Sequence, residues 1–487
     1  MGSINRREFL QDSAFLAAAL AGTGLAGGAR AAEKEAAAKK GAADRLRVAV
    51  IGVHGRGMSH VGGLANKHNC VVTTVCDADS AVIGRAMKAV EKAQGKPPRY
   101  EQDVRKVVED KNIDIVTIAT PNHWHSLMAI WAMQNGKDVY VEKPISHNVS
   151  EGRRVVEAAR KYSRICQAGT QIRSSPGIRE AIQFLHDGKL GKISVARGLC
   201  YKTRGSIGKV SGPQQPPKSM DYDLWCGPAP NKPPHRKTIN GTVHYDWHWV
   251  WDYGNGDLGN QGIHQMDVAR WGLNKGELAH TALGLGGRFG YVDDGQTPNT
   301  QISVLGYGDC ELIFEVRGLK TKDLLGARVG NIFYGSDGYL VCSTYERAAA
   351  FTPKGEVIRQ FDGKGDHFGN FIKAVRSRKA EDLHGEILEG HLSSALCHLG
   401  NVSYRLGKEQ PFNKKSNSLG DDKAAAETFA RMQEHLKDNK VQLTEGNYRL
   451  GRRLTIDPKT ETFVGDKEAD AMLTREYRKG FEVPAKV

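Results

Sequence analysis

The chain lacks the cysteine spacing that marks a disulfide framework or a structural zinc site. No C-x-x-C pair occurs, and the eight cysteines are irregularly spaced: Cys70, Cys76, Cys166, Cys200, Cys226, Cys310, Cys342 and Cys397. Two of them, Cys76 and Cys342, end apolar runs of strand-like composition. Zinc sites and disulfide frameworks use cysteines at close, regular spacing. The irregular spacing in this chain therefore predicts mostly buried free thiols.

Long hydrophobic runs and blocks of like charge are missing as well. Beyond the N-terminal region no stretch of about 18 apolar residues occurs, which predicts that the chain has no membrane span. The formal net charge is +14, but Lys and Arg are scattered and are not interleaved with aromatic residues. No nucleic-acid partner is therefore expected. The net positive charge leaves acidic sugars or an anionic cell surface open as partners.

The first residues have the pattern of an export signal. Residues 5–10 contain the twin arginines Arg6 and Arg7, residues 14–28 are rich in Ala and Gly, and small residues flank Arg30. We interpret residues 1–31 as a twin-arginine signal peptide and residues 32–44 as a linker. This predicts a periplasmic or secreted protein, exported in the folded state with its cofactor inside.

A strand, a glycine turn, a helix and a second strand open the rest of the chain. Residues 45–51 are β-rich and lead into Gly52, Gly55, Arg56 and Gly57. The next strand ends at Asp77, about 20 residues after the last glycine, where a ribose-binding carboxylate belongs. The glycine spacing is G-x-x-G-x-G, but the strand context favours dinucleotide binding. A carboxylate at position 77 would repel a 2′-phosphate, which favours NAD over NADP.

Two further strands end in polar residues that meet at the same sheet edge. The strand at 113–119 runs into Thr120, Pro121, Asn122 and His125, which we predict to contact the cofactor. His123 and His125 are of metal-binding type, but no acid or cysteine accompanies them, so no metal is expected.

The strand at 139–141 ends in Glu142, Lys143 and Pro144. The carboxyl ends of parallel strands form the ligand-binding edge of an open α/β sheet. Proline holds Lys143 extended and makes the Lys143–Pro144 bond a candidate cis peptide.

The glycine turn, Asp77, Thr-Pro-Asn-His at 120–123 and Glu-Lys-Pro at 142–144 together resemble the Gfo/Idh/MocA oxidoreductase family, over about residues 45–405. The resemblance implies an α/β protein: an N-terminal Rossmann domain with a doubly wound parallel sheet, then an α+β domain with an open-faced, largely antiparallel sheet. It implies that Glu142 and Lys143 contact the cofactor and that Lys143 also contacts a substrate hydroxyl. It places the polar pocket residues Gln171 and Arg173 beside the substrate, and it implies a homo-oligomer, a dimer or tetramer, packed through the flat sheet face.

A second motif of that family, Asp-x-x-x-His-x-x-Asp, is matched at His264 and Asp267, with Asn260 in place of the first Asp. At helical spacing these residues share one face. The resemblance implies that His264 is the general base, that Asn260 orients the substrate or the ring, and that Asp267 lines the substrate site. Upstream, five of the seven tryptophans fall between Trp225 and Trp271, and we interpret Trp249 and its neighbours as a sugar-facing wall.

The chain of 487 residues is too long for one ordinary core. We predict an NAD-binding domain at 45–165, a substrate and oligomerisation domain at 166–410, and a C-terminal extension at 411–487. The expected function is oxidation or reduction of a secondary hydroxyl of a sugar or glycoside with tightly bound NAD(P). Two alternatives stay open: an NAD-dependent glycosidase that uses transient oxidation and elimination, and a sugar-binding homologue without catalysis.

Overall fold

The computed structural model describes residues 45–234, 243–412 and 419–487. The predicted signal peptide and linker lie outside these residues. Within them, no helix combines the length and the apolar character needed to cross a membrane. All eight cysteines are free, and every one except the half-exposed Cys310 is buried, as predicted.

Six parallel strands form the first sheet. β-Branched residues are frequent in the four central strands, β2, β1, β4 and β5, whose core positions are buried. The spatial order is β3-β2-β1-β4-β5-β6, which is the doubly wound Rossmann arrangement. The strands are β1 (Leu46–Ile51), β2 (Cys70–Cys76), β3 (Arg99–Glu101), β4 (Ile115–Ile118), β5 (Asp138–Val141) and β6 (Cys166–Ala168).

The sixth strand lies beyond the predicted domain boundary at residue 165. It pairs in parallel with β5, from Val139 opposite Cys166 to Val141 opposite Ala168. The first sheet therefore continues past that boundary.

Five helices connect these strands: α1 (Gly57–Leu64), α2 (Gly84–Gln94), α3 (Val104–Glu109), α4 (Asn122–Gln134) and α5 (Val149–Lys161). Helix α4 begins at Asn122, inside the polar motif that follows β4. Pro121 precedes it with a φ of −58°, a value suited to helix entry. Asn122 and His125 therefore lie on the first turn of a helix and not in a loop.

The second sheet is mixed and largely antiparallel, as expected. Its main path runs β14-β13-β12-β11-β7-β10-β9-β8-β16-β15, and only β7 and β10 pair in parallel within it. The strands are β7 (Ile193–Cys200), β8 (Thr281–Gly287), β9 (Thr300–Gly306), β10 (Glu311–Arg317), β11 (Val329–Gly335), β12 (Tyr339–Cys342), β13 (Arg347–Phe351), β14 (Val357–Asp362), β15 (Lys408–Pro411), β16 (Asn447–Leu450), β17 (Leu454–Asp457) and β18 (Thr462–Phe463).

Helices cover the inner face of this sheet and join it to the first domain. The helices that follow α5 up to residue 405 are α6 (Pro176–His186), α7 (Tyr222–Cys226), α8 (Ile263–Gly272), α9 (His367–Ser377) and α10 (Ile387–Arg405). Helix α9 returns to the Rossmann sheet, where Phe371 and Val375 pack in one core cluster with Val48 and Leu64. The chain thus leaves the first domain after β6, returns to it with α9 and leaves it again before β15, and a cleft forms between the two sheets.

Residues beyond 411 are built into the second sheet. Strands β16 and β17 pair with β8, and helix α11 (Lys423–Asp438) packs its apolar side on the outer face formed by residues such as Leu283, Ile302 and Ile313. A short helix, α12 (Lys467–Asp470), follows. The outer sheet face, expected to be open, therefore carries a helix of the same chain over part of its area.

Candidate active site

A cavity of about 400 Å³ opens at the carboxyl ends of β1, β2, β4 and β5. The first domain contributes the glycine turn, Asp77, Thr120, Glu142 and Lys143 to its walls. The second contributes Asn260, His264 and Tyr345. The cavity thus gathers residues from widely separated parts of the chain at the edge where open α/β sheets bind ligands.

Two glycines of the turn are required by close backbone contacts. Gly52 has a φ of +80°, and a Cβ at that position would lie 2.7 Å from the carbonyl carbon of Ala119. A Cβ on Gly57 would lie 1.9 Å from the carbonyl oxygen of Gly52. A Cβ on Gly55 would meet nothing within 4 Å, so this residue faces open space. The backbone is thereby exposed at the N-terminus of α1, where the oxygens of a pyrophosphate would accept hydrogen bonds from its N–H groups.

Asp77 is oriented by the backbone around it. Its carboxylate accepts hydrogen bonds from the N–H groups of Val53 at 2.9 Å and Asp79 at 3.1 Å. Burial raises the pKa of Asp77 despite these two bonds. A carboxylate held in this way, beside the glycine turn, fits the hydroxyl groups of a nucleotide ribose.

The end of β4 is tied to the end of β5 by His125. Its Nδ1 lies 2.6 Å from the carbonyl oxygen of Pro144, and its Nε2 lies 2.8 Å from that of Thr120. Thr120, Pro121 and Asn122 also line the cavity. His125 therefore fixes the two loops relative to each other and is itself held by backbone carbonyls. Among the described residues no group of three or more His, Cys, Asp or Glu side chains is placed to hold a metal ion.

Glu142 is the centre of a buried polar cluster below the cavity. Its Oε1 accepts hydrogen bonds from Arg56 Nε at 2.8 Å and Gln171 Nε2 at 3.1 Å, and it lies 3.3 Å from His60 Nε2. Burial alone would raise the pKa of Glu142, but Arg56, His60 and Lys143 hold it well below its usual value. The carboxylate is charged, and its main task in this geometry is to fix Arg56 and Gln171.

Lys143 extends from this cluster into the cavity. The Lys143–Pro144 peptide is cis, and Lys143 Nζ donates a hydrogen bond to the backbone carbonyl of Asn260 at 2.7 Å. Burial lowers the pKa of Lys143, and Glu142 acts against that effect. An ammonium group has three N–H donors, so two remain for a bound molecule.

His264 lies across the cavity on helix α8. Only 6% of its surface is exposed, and its Nδ1 has no hydrogen-bond partner among the described residues. Burial and then the charge of Lys143 hold the pKa of His264 well below its usual value. The ring of Tyr345 lies beside it with centroids 5.1 Å apart. His264 is therefore a neutral imidazole available to take a proton.

Asn260 sits in a π-helical turn, Leu258–Gly262, just before α8. Its backbone carbonyl binds Lys143, and its side-chain amide hydrogen-bonds the ring of His248. The prediction that Asn260 and His264 both face the substrate region is consistent with their place in the cavity lining. The sequence could not predict the contact with Lys143, because the backbone carbonyl of Asn260 makes it and not the side chain.

Three predicted substrate residues do not reach the cavity. Arg173 and Asp267 form a buried ion pair, with distances of 2.7 and 2.9 Å, and Arg173 also binds Glu389 at 2.9 Å. Trp249 lies under the guanidinium of Arg204, 5.3 Å from it, outside the lining. Buried charges need partners of opposite sign, and this pairing satisfies both side chains away from the substrate.

Other aromatic and histidine residues take the place predicted for Trp249. Trp225, Tyr245, Trp247 and His248 line the cavity instead. The many aromatic residues in this part of the sequence indicate a ligand-facing wall. They do not indicate which of the rings face the cavity. Tyr345 lies in a turn between two strands and had no signal in the sequence.

A histidine pair also closes over the cofactor side. The rings of His54 and His244 stack with centroids 4.4 Å apart, and His244 Nε2 lies 2.9 Å from an Asp79 carboxylate oxygen. The first histidine belongs to the glycine turn and the second to the segment with the dense aromatic residues. This pair links the second domain to the nucleotide-binding edge.

Partial matches connect the chain to curated proteins. It is 28% identical over 206 residues to an alpha-N-acetylgalactosaminidase of Shewanella oneidensis, over 40% of this chain and 45% of the relative. It is 32% identical over 161 residues to a glycosyl hydrolase family 109 protein of Saccharopolyspora erythraea, over 32% of this chain and 35% of the relative. The chain thus spans less than half the length of these relatives.

Solved structures share the fold over most of the chain. The WlbA dehydrogenase of Bordetella pertussis, solved with NADH and UDP-GlcNAcA, has a TM-score of 0.52 at 18% identity and covers 73% of this chain and 95% of its own. A levoglucosan dehydrogenase, solved with NADH and levoglucosan, has a TM-score of 0.55 at 17% identity and covers 73% and 97%. At this identity the likeness establishes the architecture.

Family matches cover both domains. Residues 46–170 match the oxidoreductase family with an NAD-binding Rossmann fold, and residues 187–437 match the C-terminal alpha/beta domain of that family. The second match alone spans more than half of the chain. Together the two matches cover most of the chain, and the protein belongs to the Gfo/Idh/MocA family of NAD-binding oxidoreductases.

Proposed function

We propose that the protein transfers hydride between tightly held NAD and a secondary hydroxyl carbon of a sugar or glycoside. The observation that carries this proposal is the pairing of two groups in one cavity. The Lys143 ammonium and the His264 ring, whose pKa is held low, both line the cavity that begins at the glycine turn. A cation and a neutral base on opposite sides of a nucleotide edge suit alcohol oxidation.

The nucleotide-binding residues fit NAD. The turn at Gly52 and Gly57 and the N-terminus of α1 would hold the pyrophosphate, and Asp77 would accept hydrogen bonds from the ribose. When bound, NAD supplies a hydride acceptor at its nicotinamide ring. The His54–His244 stack crosses the same edge and would slow the release of a bound nucleotide.

Proton transfer falls to His264 and charge stabilisation to Lys143. The neutral imidazole of His264 takes the hydroxyl proton of the substrate. Lys143 Nζ keeps its bond to the Asn260 carbonyl and donates a second one to the substrate oxygen as negative charge develops there. In the reverse direction the same groups protonate the alkoxide. Glu142, with Arg56 and Gln171, keeps the base of the Lys143 side chain in place.

Lys143→Met tests this assignment, because it removes the charge and keeps much of the side-chain volume. Turnover should fall by about 10²–10³-fold, the scale of one lost oxyanion donor. NAD affinity, measured by calorimetry, should stay unchanged, because the pyrophosphate and ribose contacts lie elsewhere. Lys189→Met, at an exposed position, serves as the matched control. Full turnover in Lys143→Met would contradict the proposal.

A glycosidase that uses transient oxidation is the second candidate. The similarity to a protein named alpha-N-acetylgalactosaminidase favours it. In that reaction a sugar carbon is oxidised, the adjacent carbon loses a proton and then the leaving group departs, and the electrons return after water adds. The aromatic lining of Trp225 and Trp247 suits a glycoside, since ring faces pack on sugar C–H groups.

Product analysis separates the two candidates. Incubation of the NAD-loaded protein with a glycoside should yield an oxidised sugar and reduced cofactor if the protein is a dehydrogenase. Free sugar with no net change of the cofactor absorbance would establish the glycosidase. A protein that binds the glycoside and yields neither product would support the non-catalytic alternative.

A further inference from the structure

A second cavity, of about 250 Å³, shares no lining residue with the active-site cavity. Its walls come from the start of α5, the segment after the aromatic residues, helix α10 and the C-terminal region. The residues that matter here are His147, Trp251, Asn255, His398, Arg405 and Arg475. We call it the arginine cavity.

Three buried side-chain nitrogen atoms of these residues have no hydrogen-bond partner among the described residues: Asn255 Nδ2, His398 Nδ1 and His147 Nε2. Whether His398 Nδ1 is a donor or an acceptor depends on its tautomer, because its Nε2 contacts the Ser146 hydroxyl. Asn255 is only 6% exposed and His398 only 3%. An amide N–H left unpaired in the protein interior costs free energy and calls for an explanation such as a bound water or ion.

The tautomer of His147 follows from its neighbour. Arg475 Nη1 donates to His147 Nδ1 at 3.2 Å, so a neutral ring carries its proton on Nε2, the unpartnered nitrogen. Burial and then Arg475 hold the pKa of His147 well below its usual value, which keeps the ring neutral. His147 is therefore a further hydrogen-bond donor without an acceptor.

The two guanidinium groups are the charged part of the cavity. Arg405 lies over the ring of Trp251 at 5.0 Å, and no carboxylate of the described residues lies within ion-pairing distance of it. Arg405 is exposed as a residue, and partial burial of its guanidinium lowers its pKa, with Asp252 acting against this and Arg475 lowering it further. Two guanidinium groups in the lining of one cavity favour an anion there.

The nearby acids have other partners. Asp252 also lines the cavity, but its carboxylate binds Lys232 at 2.9 Å, and its backbone carbonyl accepts a hydrogen bond from Arg475 Nη1 at 2.9 Å. Glu151 accepts hydrogen bonds from the backbone of His147 at 2.8 Å and from Asn148 Nδ2 at 2.9 Å, and it lies near Arg475 from outside the cavity lining. Arg475 is thus partly balanced, whereas the exposed Arg405 has no ion-pair partner in the part of the chain that the structure describes.

We propose that the arginine cavity binds a small oxyanion between Arg405 and Arg475, with the Asn255 amide and the His147 Nε2–H as neutral donors. Guanidinium groups bind carboxylate, sulfate and phosphate oxygens in a paired geometry, which neutral or cationic molecules do not match. The oxyanion is either a free inorganic ion or the carboxylate of a sugar acid. The site is separate from the proposed catalytic one and does not depend on it.

Isothermal titration of the full-length protein tests the proposal directly. The probes are sodium sulfate, sodium phosphate and sodium glucuronate, each added at constant ionic strength against sodium chloride. Saturable binding of one equivalent is expected for at least one probe. Arg405→Gln should weaken it at least tenfold. Arg405 is the variant of choice because its side chain has no hydrogen-bond partner within residues 45–234, 243–412 and 419–487. Arg328→Gln, which removes an exposed arginine 3.5 Å from Asp323, should leave the affinity unchanged.

The three probes also identify the source of the anion. Preference for sulfate or phosphate supports an inorganic ion, and preference for glucuronate supports a sugar acid. Lys143→Met should keep the wild-type affinity, because the two cavities are separate; a loss there would place the anion in the active site and overturn the proposal. Absence of saturable heat with all three probes, or equal affinity in Arg405→Gln and wild type, would also overturn it.

Discussion

Lys143 and His264 respond to burial in the same direction but work in opposite protonation states. Each is charged when protonated, so burial lowers both pKa values. His264 must be neutral to accept a proton, which burial favours. Lys143 must be charged to stabilise an alkoxide, and Glu142 helps to keep it so. One buried site therefore supports both roles, because Glu142 is the main group that raises the pKa of Lys143, whereas its effect on His264 is outweighed by burial and by the charge of Lys143.

The pH dependence of kcat/KM follows from these directions. Activity that needs neutral His264 is present above its pKa and is lost as the pH falls through it, so the acid limb should lie below pH 6.5. Activity that needs charged Lys143 is lost as the pH rises through its lowered pKa, so the alkaline limb should lie below pH 10.5. Steady-state rates over the pH range of the folded protein measure both limbs.

Two variants assign the limbs of this profile. His264→Asn should abolish the acid limb and reduce the rate, and Lys143→Met should abolish the alkaline limb. An acid limb that persists unchanged in His264→Asn would show that another group is the base. His248, whose pKa burial lowers to about 3, would then be the next residue to change.

Asp77 sets the preference for the nucleotide in the proposed function. Asp77→Ala removes the acceptor for the ribose hydroxyls and should weaken NAD binding by about 1–3 kcal/mol. NADP binding should weaken far less, because the carboxylate repels its 2′-phosphate. Calorimetry with the nucleotide-free protein measures both affinities, with the exposed Asp187→Ala as the control. Equal losses for the two nucleotides would refute this role.

At the level of elements, local sequence patterns located the central strands of the first domain and the motifs that follow them. The strands predicted at 45–51, 113–119 and 139–141 agree with β1, β4 and β5 to within about two residues, because continuous apolar residues mark them. The start of α4 at Asn122 was not predicted, since His123, Trp124 and His125 belong to a polar motif directly after a strand. Their burial depends on the second domain: His123 Nε2 lies 3.0 Å from the carbonyl oxygen of Trp225.

Pairings between distant elements were beyond the reach of the sequence. Arg173 and Asp267 were each predicted to face the substrate, but nothing in their local sequence shows that they lie close enough to pair with each other. The packing of α11 on the outer sheet face could not be predicted either. An amphipathic pattern predicts that a helix packs on another surface, but it does not identify that surface.

Packing of α11 gives a test of the second domain. Met432 is fully buried between this helix and the outer sheet face. Met432→Ala should lower the free energy of unfolding of this domain by about 2–5 kcal/mol, through lost burial and a cavity. Glu434→Ala, on the exposed side of the same helix, should change it by less than about 0.5 kcal/mol. Denaturant unfolding followed by circular dichroism would compare them, and similar midpoints would contradict this packing.

At the scale of the whole molecule, the covered sheet face bears on assembly. The resemblance implies a dimer or tetramer packed through that face, and we keep a homo-oligomer as a proposal. Helix α11 occupies part of the face, so the contact would use the strands beside it, such as β13 and β14, where Ile358 is 45% exposed. A buried charge cluster also lies under the helix, since Glu315 binds Arg431 of α11. The helix is therefore firmly attached and not readily displaced by a second copy.

Export is the remaining proposal about the whole molecule. Arg6 and Arg7 open a pattern that fits the twin-arginine pathway, which carries folded proteins. This suits a protein whose nucleotide site is closed by the His54–His244 stack, because the cofactor would be loaded before transport. Replacing both arginines by lysine should leave the protein in the cytoplasm, folded and still loaded with NAD. Cell fractionation followed by mass spectrometry of the purified protein measures location and cofactor together. If the variant still leaves the cytoplasm, the twin-arginine assignment is wrong. If the wild-type protein outside the cytoplasm contains no nucleotide, tight binding of the cofactor is wrong.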